Sequence, residues 1–204
     1  MKSVNSQLST VSEKRYLCGM KLIRNPWVWL CRFRHRKGYG VHSPTDYAFI
    51  RGVLLEPGRY YAYEELDALH PWWVRAAGLY PLACRRLLFR LANAVHPRTI
   101  RRFHGRPVEE AYMAASVPSA EWVEGAADFV FVPHECLAEA EALVAQMDRS
   151  GMMVLEGIHA DAAARTLWQR LQEDPCVGIT YDLYTYGILC FDRSRHPHHY
   201  IVSF

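Results

Sequence analysis

Between residues 79 and 95, Leu82, Leu87, Leu88, Leu91 and Val95 recur at helical spacing, with Arg85, Arg86 and Arg90 set between them. That period predicts a helix laid by one apolar stripe on a sheet. His96-Pro97 ends it, because proline cannot continue the helix's hydrogen bonding. Further on the apolar runs shorten: 99–103 can extend as a strand, and 120–124, 128–132 and 152–155 read as buried strands. Helices are expected among them at 108–116, stopped by Pro118, at 137–147, stopped by Gly151, and at 160–173, with Leu167, Trp168 and Leu171 on one face. This alternation predicts a mostly parallel sheet. The end of the chain differs. Runs 177–183, 187–191 and 199–204 have no helix between them, and links so short call for antiparallel pairing, so a closing meander is expected.

Ahead of the long helix, 17–36 reads as one or two short helices broken at Asn25-Pro26. KGYGVHSP, 37–44, interrupts regular structure, after which Ser43 or Thr45 opens a helix through Tyr47, Phe49 and Ile50 to Leu55. Glu56-Pro57-Gly58 closes that helix, and the Tyr- and acid-rich 60–70 leads into another short one. The organisation expected is an N-terminal basic and aromatic arm, 1–36, followed by one α/β domain, 37–204.

Composition supports a single core: half of the 204 residues are hydrophobic and 13% are aromatic. A formal charge of +3 is too small to imply a nucleic-acid partner, but the charge is unevenly placed. Lys21, Arg24, Arg32, Arg34, Arg36 and Lys37 cluster in the arm with Trp27, Trp29 and Phe33. Two readings stand: a solvated face, or a basic surface for anionic lipid, phosphate or a protein partner, its aromatics turned toward the body or a partner. Cys18, Cys31, Cys84, Cys136, Cys176 and Cys190 are scattered without a Cys-x-x-Cys pair, so reduced thiols and a cytoplasmic setting are expected. No apolar run approaches the ~20 residues of a membrane-spanning helix, and no secretory leader is read.

The stretch VHPRTIRRFHGRPV, 95–108, joins a helix end, a strand, a turn at Gly105 and a helix start at Pro107. In nucleotide-binding α/β domains this first strand-to-helix junction carries several glycines, which let the backbone turn tightly and the ligand approach. Here Gly105 stands without them. Arg106 at a helix start suits a phosphate or carboxylate, with Arg101, Arg102 and His104 as auxiliaries. The opposing expectation pairs these cations with Glu109, Glu110 or Glu124.

KGYGVHSP with the following YAFI, then YYAYEEL at 60–66, and the closing YDLYTYGILCF and HHYIVSF resemble a group of bacterial, especially Bacteroidetes-type, class I S-adenosylmethionine-dependent methyltransferases. The resemblance spans roughly 36–204. It implies a Rossmann-like methyltransferase fold, a mostly parallel sheet with antiparallel C-terminal strands, here shortened in the middle and preceded by a helical extension. It also implies S-adenosylmethionine as cofactor. Laid on the family's donor motif, Arg102 falls at the acid and His104, Arg106 and Val108 at glycines. Side chains there occupy ligand space, and an arginine repels the sulfonium and amino groups. Gly105, Arg106 and Glu124 are what remains of the donor site, with Glu124 either a ribose-binding carboxylate or a plain strand-end residue. Between the first strand and 128–132 there is room for one strand-helix unit where relatives carry two, so the adenine side of the pocket is expected to be reduced. No metal is expected, since Val132-Pro133-His134-Glu135 and Glu156-Gly157-Ile158-His159 replace the acids of relatives that hold Mg²⁺.

Other polar positions fall at loops. His134 with Glu135 and His159 with Asp161 follow predicted strands, at the edge where α/β sites form. His42 and Ser43 either line a pocket, together with Tyr61 and its neighbours Tyr60 and Tyr63, or cap and brace a loop. His196, His198 and His199 match no zinc spacing and read as a polar turn. The function expected is a methyltransferase-like protein degenerate in donor binding that acts as a binding protein. Its alternatives are an active methyltransferase with an atypical donor loop, and an anion- or nucleic-acid-binding module using the arm.

Overall fold

A computed structural model describes residues 30–35, 38–70 and 80–204. Seven strands form one sheet: β1 (Thr99–Arg101), β2 (Glu121–Val123), β3 (Phe129–Val132), β4 (Met152–Glu156), β5 (Ile179–Asp182), β6 (Tyr186–Cys190) and β7 (His198–Ile201), in the order β2-β1-β3-β4-β6-β5-β7. β1, β2, β3 and β4 are mutually parallel, with Thr99 opposite Glu121, Ile100 opposite Phe129, and Phe129 opposite Met152. β6 enters antiparallel between β4 and β5.

Each central strand is buried on both faces, which is why its sequence is a continuous apolar run. Phe129 and Phe131 face one side with Leu87, Leu88 and Leu91, from helix Tyr80–Val95. Val130 and Val132 face the other with Leu167, Trp168 and Leu171, from helix Ala162–Glu173. Burial of side chains of this size contributes about 1.5–3 kcal/mol each, so these two layers dominate the stability. Numbered in chain order, the helices are α1 (Pro44–Phe49), α2 (Tyr63–Ala68), α3 (Tyr80–Val95), α4 (Pro107–Ser116), α5 (Ala140–Val144) and α6 (Ala162–Glu173).

Local chemistry sets the ends. Ser43 caps α1 by accepting from the Asp46 N–H, and Asp161 caps α6 by accepting from Ala164 N–H at 2.8 Å. α1 runs into a π-helical turn, Ile50–Leu54, whose terminal carbonyls would lack partners. Arg90 supplies them. It lies within the α3 stripe, 7% exposed, and donates to Val53 O at 2.7 Å and Leu54 O at 2.9 Å.

Three expectations change. β2, expected to be a buried strand, is exposed at Glu121 and half-buried at Trp122 and Val123, because it lies at the edge of the sheet. The 137–147 helix begins earlier and in two pieces, a 3₁₀ segment His134–Glu139 and then α5, because the chain turns at Pro133 directly off β3. The closing meander is not formed: β7 passes beyond β6 and pairs parallel with β5, Ile179 opposite His198. Gly178 permits this crossing, since a Cβ there would sit 2.2 Å from the Asp192 carbonyl oxygen. As expected from its length, the connection from β2 to β3 holds no helix. Asp128 secures it by accepting from the Arg98 and Thr99 N–H groups at 3.0 and 3.3 Å.

Candidate functional site

The carboxyl ends of β1, β3, β4 and β5 share one edge, where loops 102–106, 133–135, 157–161 and 183–185 gather. β1 has its sequence neighbour β2 on one side and β3 on the other, and such a reversal opens the crevice where α/β sheets bind ligands. At that crevice Gly105 turns with φ +86° in open space, and Pro107 begins α4, as its fixed φ favours. Arg106 folds back inside. Its side chain is 10% exposed and donates to Glu135 at 2.6 Å and to Glu156 at 2.8 Å, with Glu109 at 3.5 Å. Arg85 from α3 closes the group on Glu109 at 2.8 Å.

Burial works against the charge on Arg106, but the field of Glu156, the bond to Glu135 and the nearby Glu109 outweigh it and raise the guanidinium pKa further. The expected phosphate or carboxylate site at this turn is therefore corrected. Protein carboxylates already fill the cation's coordination, so an added anion meets negative charge. His104 and Glu124 form a pair at 3.3 Å on the surface, 81% and 79% exposed. Arg102 lies 3.6 Å from Glu110 and over the Trp122 ring.

Beside this cluster, His134 and Asp161 come within 3.5 Å at the rim of a cavity of about 430 Å³ between the 3₁₀ segment and α6. Leu137, Ala164 and Leu167 form its floor, and Glu135, Glu141 and Arg170 stand at its margin. His134 is held close over Gly157, where a Cβ would lie 2.7 Å from Nδ1. An imidazole and a carboxylate at this spacing can exchange a proton with a polar guest.

His159 belongs to a separate constellation at the end of β5. Its Nε2 is 2.8 Å from Asp182 Oδ2, and its ring stacks on Tyr184, centroids 5.1 Å apart. Asp182 Oδ1 accepts from the Tyr184 N–H at 2.7 Å and from Arg32 at 2.9 Å. Burial pushes the Asp182 carboxyl up, yet the His159 bond and the Arg32 charge pull it further down, and the net pKa is lowered. Arg32 departs from the expected outward face: its guanidinium docks on the domain, while Arg34 is exposed as expected and Phe33 is 49% exposed. Lys21, Arg24, Trp27, Trp29, Arg36, Lys37 and Cys18 lie outside the described residues.

His42 is exposed, Ser43 serves as the α1 cap, and Tyr61 is fully exposed. None of the three lines the cavity at His134. Tyr60 and Tyr63 instead pack with Phe89. What sequence reasoning missed near His42 is Asp46, 4% exposed, which accepts from Tyr181 OH at 3.0 Å, from Tyr200 OH at 2.9 Å and from Arg195. Asp182 was missed likewise. The signal was a carboxylate inside an apolar run, ITYDL for Asp182, which has to find donors when buried.

No family model matches the chain, and no curated protein matches it. Cys31, Cys84, Cys136, Cys176 and Cys190 are free thiols. Among the described residues no helix is long and apolar enough to cross a membrane, and no group of three or more His, Cys, Asp or Glu side chains is arranged to hold a metal ion.

Proposed function

We propose that this chain is a methyltransferase-like domain whose donor crevice has been replaced by an internal ion cluster, and that it works by binding a partner rather than by transferring a methyl group. One observation carries the reading: Arg106, at a position where the family resemblance calls for glycine, is bound by Glu135 and Glu156 across the switch-point crevice. Admitting S-adenosylmethionine would require those bonds to break and strip the buried Arg106 guanidinium of two of its three carboxylates, a cost of about 1–3 kcal/mol. The order of the sheet, with an antiparallel strand inserted next to β4, agrees with the resemblance. So does the lack, among the described residues, of any strand beyond β2, given the short middle of the sequence.

Calorimetry with S-adenosylmethionine and with its demethylated product tests the reading. Dissociation constants weaker than about 1 mM, near −4.1 kcal/mol, are expected for both. Micromolar binding that Glu124→Ala abolishes would overturn the reading and establish an active enzyme with an atypical donor loop.

A further inference from the structure

The π-helical turn, α2, α3 and the residues after β7 border a cavity of about 480 Å³, a size usual for small-molecule sites. Leu55, Pro57, Ala83 and Phe204 give it apolar walls. Two opposite charges also line it and are kept apart: among the described residues neither Arg90 nor Glu56 forms an ion pair. Arg86, at the same cavity, differs in bonding Asp67 and lying over the Tyr63 ring. Arg90 is 7% exposed, and its bonds go to neutral groups, the Val53 and Leu54 carbonyls. Burial raises the pKa of the Tyr63 hydroxyl despite Arg90 beside it, so that group is neutral as well. A guanidinium taken this far out of water ordinarily has a carboxylate against it. Glu56 is likewise held by a neutral donor, Tyr60 OH at 2.8 Å. Burial, with Glu56 as acceptor, pushes that hydroxyl up to about 12, so at neutral pH it stays a donor and brings Glu56 no opposite charge.

We propose that this cavity is a binding site for a free apolar α-amino acid, with the ligand's carboxylate on Arg90, its ammonium on Glu56 and its side chain against the apolar walls. A zwitterion supplies both missing counter-charges at once, whereas a simple anion or cation supplies one and is repelled by the other. The two protein groups are already oriented. Nε and Nη2 of Arg90 are engaged by the carbonyls of the turn, leaving Nη1 as the donor for a carboxylate. Oε2 of Glu56 accepts from Tyr60, leaving Oε1 for an ammonium. Gly58 makes room for that oxygen, since a Cβ there would lie 2.7 Å from it.

Calorimetry on the full chain with L-phenylalanine tests this, with N-acetyl-L-phenylalanine, L-phenylalaninamide and glycine as comparison probes. Phenylalanine is expected to bind with a dissociation constant of about 0.1 mM or below, given its size. Each comparison probe should bind about ten-fold more weakly, the first for want of the ammonium, the second of the carboxylate and the third of an apolar body. Glu56→Gln should weaken phenylalanine about ten-fold and leave N-acetyl-phenylalanine unchanged, a pattern that general loss of structure does not give. Should Glu56→Gln lose the wild-type circular-dichroism spectrum, Ala83→Trp, which fills the cavity and keeps both charges, reads the same site and should abolish phenylalanine binding. The proposal is overturned by no binding of phenylalanine at about 1 mM, by equal affinity for phenylalanine and either charge-deleted probe, by an equal effect of Glu56→Gln on phenylalanine and its N-acetyl form, or by binding that survives Ala83→Trp. No residue of the cavity belongs to the Arg106 cluster, so these outcomes are distinct from those of the donor titration.

Discussion

Arg106 shows how one side chain changes the meaning of a motif. Seen as a charge at a helix start it invites an anion; folded, it is the centre of a carboxylate cluster. Arg106→Ala should lower unfolding stability by about 1–3 kcal/mol, since half-buried Glu156 loses its cation while Glu135 faces water and buried Glu109 keeps Arg85. Denaturant unfolding measures this, and a loss under about 1 kcal/mol would mean the cluster is a surface pairing. Asp182 gives a pH dependence. Its pKa is lowered on folding from the ordinary 3.8, so its stabilisation is present above that value and is lost as pH falls through the lower folded pKa. The stability difference between wild type and Asp182→Asn should accordingly be largest near neutrality and shrink as the pH falls below 3.8. A difference that is constant across that range would show that the carboxylate's charge contributes nothing there.

Among the elements, the crossing to β7 and the π-helical turn make opposite demands on glycine. Gly178→Ala puts a methyl group into the Asp192 carbonyl and should destabilise by about 1–3 kcal/mol, as overpacking does. Gly52, in the turn closed by Arg90, has open space at its Cβ and no positive φ. Gly52→Ala should therefore stabilise by about 0.5–1 kcal/mol through reduced chain entropy in the unfolded state. Thermal melts of the two variants should move in opposite directions; a rise for Gly178→Ala would contradict the placement of the β6–β7 link, and a fall for Gly52→Ala the open space at the turn.

At the scale of the molecule, two carboxylates join distant parts of the chain. Asp46 ties α1 to β5 and β7 through Tyr181 and Tyr200, and its bonds help push the Tyr200 hydroxyl up to about 12, after burial. Asp182 ties the arm to β5 and β7. Hydrogen exchange should thus be slowest in β3, β4 and β6, which have strands on both sides and helices over both faces, and faster in the edge strands β2 and β7. Protection of β7 equal to that of β4 would contradict its place at the edge of the sheet among the described residues.

The sequence by itself determined the layers. Apolar period and run length separate helices from strands without tertiary information, because each element must hide one stripe or two faces. Thus α3, α4, α6 and every strand fall where their patterns predict, to within a few residues. Only the tertiary structure decided the partners of the polar groups. Whether Arg106 meets phosphate or Glu135, and whether Asp182 is a solvated strand end or a buried ion-pair partner, depends on residues 29 and 150 positions away. Strand order past β6 was equally hidden, since a short link limits how far a strand can travel but not which side of its neighbour it joins. Charges act through space over a few ångströms, whereas a sequence pattern records only spacing along the chain.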